Sequence, residues 1–322
     1  MGARSRIGWT DASWNPVTGC TEVSPGCDHC YARGIAERFA GTPAYPQGFK
    51  VTLHPERLVL PLRWAKPRQV FVNSMSDLFH ADVPDGYIAR AWEVMAQAPQ
   101  HTFQILTKRH ARMRSWVTRW HDTTGDELVD GIPMPRGPEA VRAVYSSPRA
   151  RLFADMLDSM GTPPPGAAYP LYDWMEGPRW FPNVLHNVWL GVSAEDDARF
   201  ALRVPALLAT PAAVRFLSAE PLIGRIQRAP IRLAAEGGLH WVIVGGESGP
   251  GARRMDPSWV DDIVETCQAY SVSVFVKQLG SVLAKELSVP GKGDDPSLWP
   301  DELRSRWPQQ WPVGHRPTGL TS

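Results

Sequence analysis

Nowhere in this 322-residue chain does an apolar run approach the roughly 20 residues that a bilayer-spanning helix requires. The opening Met1-Gly-Ala-Arg-Ser-Arg6 is basic, but no apolar stretch of a secretory signal follows it. Arg6 also stands where a myristoylation pattern wants Ser or Thr. Cysteine is scarce, with four residues, and neither sign of charge dominates: 34 Lys plus Arg face 33 Asp plus Glu. A net charge of +1 neither demands nor excludes a nucleic-acid partner. No internal repeat is evident. These absences predict a cytoplasmic protein in a reducing compartment, with no membrane partner.

What is present is an ordinary globular composition, 43% hydrophobic and 21% charged, with many tryptophans (14) and prolines (31). Such a chain can bury a large core, as one barrel-type domain or as two smaller ones. The scarce cysteines are not scattered. Cys20, Cys27 and Cys30 fall within eleven positions, spaced C-x6-C-x2-C, with the turn formers Ser24, Pro25 and Gly26 between the first two. The two-residue gap between Cys27 and Cys30 lets both thiolates reach one metal centre. Cysteines used for packing do not cluster in this way. Cys267 is of that other kind: it shares a helical stripe with Val260, Ile263 and Val264 and is expected to be a small buried residue.

Two metal readings stay open. A structural zinc needs a fourth ligand; His29 lies between two of the cysteines and would tend to point away, and His54 is distant in sequence. Three thiolates without an obvious fourth suit a cubane iron–sulfur cluster, which would keep one iron open to an exogenous ligand.

Along the chain, short apolar strands alternate with helical segments, the pattern of a parallel α/β fold. Strands are expected near Ile7–Trp14 and over 69–73, 101–107, 188–193, 214–220, 240–247 and 273–278. Helices are expected at Tyr31–Ala40, from Asp82 to about Gln97, and at Pro148–Met160. Residues 121–183, rich in Pro and Gly, interrupt the rhythm and are read as an insertion or lid. The resulting expectation is a partial or complete (β/α) TIM-type barrel over 1–287 with one long insertion, then a polar peripheral extension over 288–322. Polar residues gather at the strand ends: Ser74 and Asp77, Lys108, Ser193 and Glu195, Glu220, Gly245-Gly246-Glu247, and Lys277. In a (β/α) barrel those ends form the active-site face. Each has an ordinary alternative: a salt bridge for Glu195 and Glu220, a solvated strand end for Lys108 and Lys277, and a common turn for Gly245-Gly246. The run Lys108–Arg119, helped by Arg253 and Arg254, could track a phosphate backbone or form a solvated helix face.

The segments WNPVTGC, GC-x-x-CYA, SDLFH, LTKR, GVS-x-E, EPL-x-G, GGESG and FVKQLG span most of residues 7–280. Together they resemble a three-cysteine-motif family of unassigned function found in phages and bacteria. The cysteine loop itself resembles that of radical S-adenosylmethionine (SAM) enzymes, whose usual motif is C-x3-C-x-Φ-C. Here the first spacing is six, and His29 occupies the aromatic position. This resemblance implies a radical-SAM-like barrel in which Cys20, Cys27 and Cys30 hold three irons of a [4Fe-4S] cluster and SAM chelates the fourth. It further implies an external flavodoxin- or ferredoxin-like electron donor and reductive cleavage of SAM to a 5′-deoxyadenosyl radical. The strand-end residues named above become the candidates for binding SAM. Glu247 lies in a Gly-Gly-Glu motif, whereas Ser74 and Asp77 occupy the position, after the second strand, where such a motif usually binds the methionine amine. A nucleic-acid base or nucleotide is the expected substrate, and no catalytic residue is singled out. The reading from another class is a zinc-stabilised nucleic-acid-binding protein without catalysis.

Overall fold

The computed structural model describes residues 5, 7–122 and 184–312. In chain order the elements are β1 (Ala12–Trp14), β2 (Val17–Thr18), α1 (Tyr31–Arg38), β3 (Thr52–Leu53), α2 (Pro55–Leu58), β4 (Gln69–Val72), α3 (Asp85–Gln97), β5 (Thr102–Thr107) and α4 (His110–Asp122). They continue with β6 (Val188–Ser193), α5 (Asp197–Leu208), β7 (Val214–Ala219), α6 (Arg228–Glu236), β8 (Trp241–Gly245), α7 (Pro257–Ala269), β9 (Ser273–Gln278), α8 (Ser281–Glu286) and α9 (Asp301–Arg306). Apart from its first two residues, which end α4, the expected insertion lies outside the described residues, as does the expected helix at Pro148–Met160.

Among the described residues, seven strands form one parallel sheet in the order β1-β4-β5-β6-β7-β8-β9. Consecutive parallel neighbours require each helical connection to cross in the same sense, which curls a sheet rather than doubling it back. The two faces differ in composition. Val70, Val72, Phe103, Ile105, Leu190, Leu217, Val242, Val244, Val274 and Val276 join the helices in the larger core. The alternate residues Phe71, Trp189, Phe216, Trp241, Ile243 and Phe275 form a second core with Trp9. Trp9 touches Phe71 of β4 (ring centroids 4.7 Å apart), Phe216 of β7 (6.4 Å) and Trp241 of β8 (6.0 Å). One ring reaches both β4 and the neighbouring pair β7 and β8, three and four places along the sheet, only because the sheet wraps around it. Space inside is tight: a Cβ on Gly191 would come within 2.5 Å of the Phe216 ring.

Among the described residues the sheet is open, a half-barrel with β1 and β9 as its edges, which fits the partial rather than the complete form of the expected barrel. The outer edge of β9 is covered by the chain's own C-terminal segment, where Gln310 N donates to Val274 O (2.8 Å) and Val276 N to Pro308 O (2.9 Å). The segment after Leu287 is therefore not peripheral where it is described. Trp299, Leu303 and Trp307 are buried in the main core, and the two indole N–H groups donate to Gly293 O and Asp261 Oδ1.

Local chemistry adjusts several boundaries. α3 begins at Asp85 rather than Asp82, because Pro84 disfavours a helical Val83 before it. α1 ends at Arg38, and Gly41, at φ +82°, takes the left-handed turn that follows.

Candidate metal centre

Toward the C-terminal ends of the strands, the inner face changes from aromatic to polar. The alternation that turns Trp189, Phe216 and Phe275 inward brings Ser193, Ser218 and Lys277 to the same face at the mouth. The cysteine loop is docked onto this mouth by every segment it meets. Gly19 N donates to Met75 O, and Cys20 N to Phe49 O. Gly19, at φ +81°, passes so close to Lys50 that a Cβ would lie 2.1 Å from its carbonyl oxygen. Asn15 Oδ1 accepts from Ser74 Oγ (3.2 Å) and Met75 N (3.0 Å), fixing the stretch ahead of Cys20 to the end of β4.

The strand ends meet the sulfurs. From the end of β5, Lys108 Nζ lies 3.5 Å from Cys27 Sγ, and Arg109 Nη1 lies 3.4 Å from Cys20 Sγ. All three loop cysteines are free thiols of intermediate burial. Burial pushes the Cys27 thiol up, but Lys108 and backbone hydrogen bonds from Val23 and Ser24 outweigh it, leaving its pKa below the usual value. For Cys20 burial dominates over Arg109 and raises the pKa. Cys267 is fully buried in the core, with its thiol pushed up to about 12 by burial, as its place on an apolar stripe predicts.

The carboxylates at the mouth fall into two groups. Those of Asp77, Glu195 and Glu247 are engaged within the protein. Asp77 accepts from Thr107 Oγ1 (2.7 and 2.9 Å), Phe79 N, Lys108 N and Arg109 Nη1 (3.2 Å). Glu195 accepts from Gly26 N (3.2 Å) and the buried Arg203 (2.9 Å). Burial raises its carboxyl, but Lys108 foremost, then the Ser24 hydroxyl, Arg203 and the Gly26 amide, bring it below the usual range. Glu247 accepts from His29 Nδ1 (3.1 Å) and from the backbone and side chain of Arg253. These contacts override burial and hold it at about 2. Arg253 also reaches Asp28 (3.1 Å) and Pro25 O (2.8 Å), so it latches the loop to the end of β8.

In the second group, Glu220 and Lys277 pair at 3.0 Å with 14% and 20% of their side chains exposed, and so face the opening. Gly245 makes room for this pair: a Cβ there would meet Glu220 Oε1 at 2.4 Å. Gly246 plays a backbone role, since its Cβ would lie 2.3 Å from Leu279 O. Ser193 is buried opposite Ser218 of β7, and its carbonyl accepts from Arg203 (2.8 Å).

The chain belongs to the family described as "Protein of unknown function (DUF5131)", whose model matches residues 4–308. No curated protein and no solved structure matches it. The matched region takes in the cysteine loop and every strand end that docks it.

Among the described residues, no three His, Cys, Asp or Glu side chains gather into a set that could hold one metal ion. The fit of a metal group therefore rests on the donors themselves. Three reduced thiols lie on one loop, two of them facing cationic N–H donors, and the Cys27 pKa is lowered toward the thiolate form that metals bind. The histidines considered as a fourth ligand are occupied: His29 by Glu247, and His54 by Thr18 (2.8 Å) and Glu56 (3.4 Å).

Several working residues were not legible as such. Arg109 sits in the basic run but faces Cys20, Asp77 and Thr21. Arg112 and Arg119 pair with Asp85, and Arg254 with Glu286. Most cations of the expected basic face thus have contacts within the protein, with Arg112 and Arg119 sharing one carboxylate. Arg203 carried a signal: it lies within the apolar stripe Phe200, Val204, Leu207, where an arginine predicts a buried acidic partner.

Proposed function

We propose that this protein is an atypical radical SAM enzyme whose [4Fe-4S] cluster would be held by Cys20, Cys27 and Cys30. When bound, that cluster with SAM would supply a one-electron reductive cleavage yielding a 5′-deoxyadenosyl radical. The observation that carries the reading is the docking of the cysteine loop over the C-terminal strand ends, with Lys108 and Arg109 directed at two of its sulfurs. Glu220 and Lys277, the ion pair facing the opening, would meet the charged methionyl end of SAM. Asp77, Glu195 and Glu247 would orient the loop through the hydrogen bonds described above rather than bind SAM. The aromatic packing beneath the mouth would keep water from reaching the site from the sheet interior. The reductant would be an external flavodoxin- or ferredoxin-like protein. A nucleic-acid base or nucleotide is the proposed substrate, although most cations of the 108–119 run have partners inside the protein.

The test is anaerobic incubation of reconstituted protein with dithionite and SAM, followed by detection of 5′-deoxyadenosine. The reading expects its formation, and its loss in Cys27→Ala. One bound zinc per chain with no SAM cleavage would overturn it in favour of a zinc-stabilised binding protein.

A further inference from the structure

We infer that Lys108 and Arg109 set the reduction potential of the group held by the cysteine loop, through N–H···S hydrogen bonds to Cys27 and Cys20. This rests on the iron–sulfur reading above. Two consecutive residues at the end of one strand each approach a different cysteine, at 3.5 and 3.4 Å.

Arg109 is held from behind, so its contact is built rather than incidental. Arg109 Nη1 also donates to Asp77 Oδ2, while Nη2 donates to Thr21 O (3.1 Å) and Thr21 Oγ1 (2.9 Å). Asp77 is only 5% exposed and is fixed by Thr107. Lys108 lies beside the fully buried Glu195, which Arg203 holds in place. Gly26 completes the arrangement, because a Cβ there would stand 2.9 Å from Lys108 Nζ and 3.0 Å from Glu195 Oε1. The loop comes within reach of the ammonium only because this position has no side chain.

One-electron reduction makes a cluster more negative by one charge. Nearby positive charge and N–H donors stabilise the reduced form more than the oxidised form, which raises the potential. Partial burial strengthens the effect relative to water. Glu195 acts with the opposite sign from nearly the same place. Removing the Lys108 charge should therefore lower the potential, and removing the Glu195 charge should raise it. A purely structural role would not produce this opposition.

The experiment is a dithionite titration of the anaerobically reconstituted full chain without SAM, followed by the electron paramagnetic resonance signal of the reduced cluster. Lys108→Met is expected to retain iron and sulfide and to lower the midpoint by at least about 59 mV, a tenfold change for one electron. Lys108→Arg should return it toward the unsubstituted value, and Glu195→Gln should shift it upward. A loaded Lys108→Met protein with an unmoved midpoint overturns the inference and leaves the cluster reading intact. If Lys108→Met fails to load, Glu195→Gln decides: an upward shift supports the inference and no shift overturns it. An unsubstituted chain that takes up no iron and sulfide overturns the cluster reading and the inference with it.

Discussion

Arg203 Nη1 and Glu195 Oε2 lie 2.9 Å apart in an ion pair whose side chains are 2% and 0% exposed. Burying both charges is tolerable only because each meets the other and because Glu195 also accepts the Gly26 amide. The pair thus links helix α5 to the cysteine loop. Arg203→Leu should destabilise the fold by about 3–5 kcal/mol, since it strands a buried carboxylate. Urea unfolding measures the loss, and the double change Arg203→Leu/Glu195→Leu should recover much of it. A single-variant cost under about 1 kcal/mol would show that the carboxylate is not confined as described.

Two glycines within nine positions should respond oppositely to alanine. Gly34, inside α1, has open space around its missing Cβ, so Gly34→Ala should stabilise by about 0.5–1 kcal/mol through helix propensity. Gly26→Ala should instead displace Lys108 from Cys27. In metal-free protein the Cys27 thiol pKa should then rise, visible as slower alkylation near neutral pH. Unchanged alkylation would contradict the close approach.

Inside the half-barrel, Gly191→Ala should cost about 1–3 kcal/mol by overpacking against the Phe216 ring. Thermal unfolding reads this, and adding Phe216→Leu should recover part of the loss. A neutral Gly191→Ala would mean that the sheet interior is less filled than the Trp9 contacts indicate.

Burial on α3 pushes the Glu93 carboxyl from 4.5 up to about 7, with Arg90 opposing it. Below pH 4.5 folded and unfolded forms are both protonated, and the group costs nothing. Between 4.5 and about 7 the unfolded chain ionises first, so stability falls, and above that range the loss is constant. Glu93→Gln should therefore add up to about 3 kcal/mol at about pH 8 and nothing at about pH 4, as read by denaturant midpoints. An equal effect at both values would contradict a raised pKa.

The later strands were legible because each is a short apolar run with a consistent inner and outer alternation. Val188–Ser193 and Ser273–Gln278 match their expected bounds. The first strand was only partly legible: it shrinks to Ala12–Trp14, and Trp9, ahead of it, packs into the sheet interior instead. Composition misled at the C-terminal end, where polar and proline residues surround Trp299 and Trp307, because burial there depends on partners remote in sequence. The same limit applied to the site. The cysteine cluster was visible by its spacing alone, and so were the strand-end positions of Lys108, Glu195 and Glu247. That Arg109 would meet Cys20, or Arg253 join Glu247 to Asp28, depends on contacts across 89 and 225 residues of chain. A charge run read locally looks like a solvated face.

The most direct measurement is the iron, sulfide and zinc content of the anaerobically purified protein beside Cys27→Ala and Cys267→Ala variants. The account predicts about four irons and four sulfides per chain, lost in Cys27→Ala and kept in Cys267→Ala. A stoichiometric zinc without sulfide, or iron retained in Cys27→Ala, would contradict it.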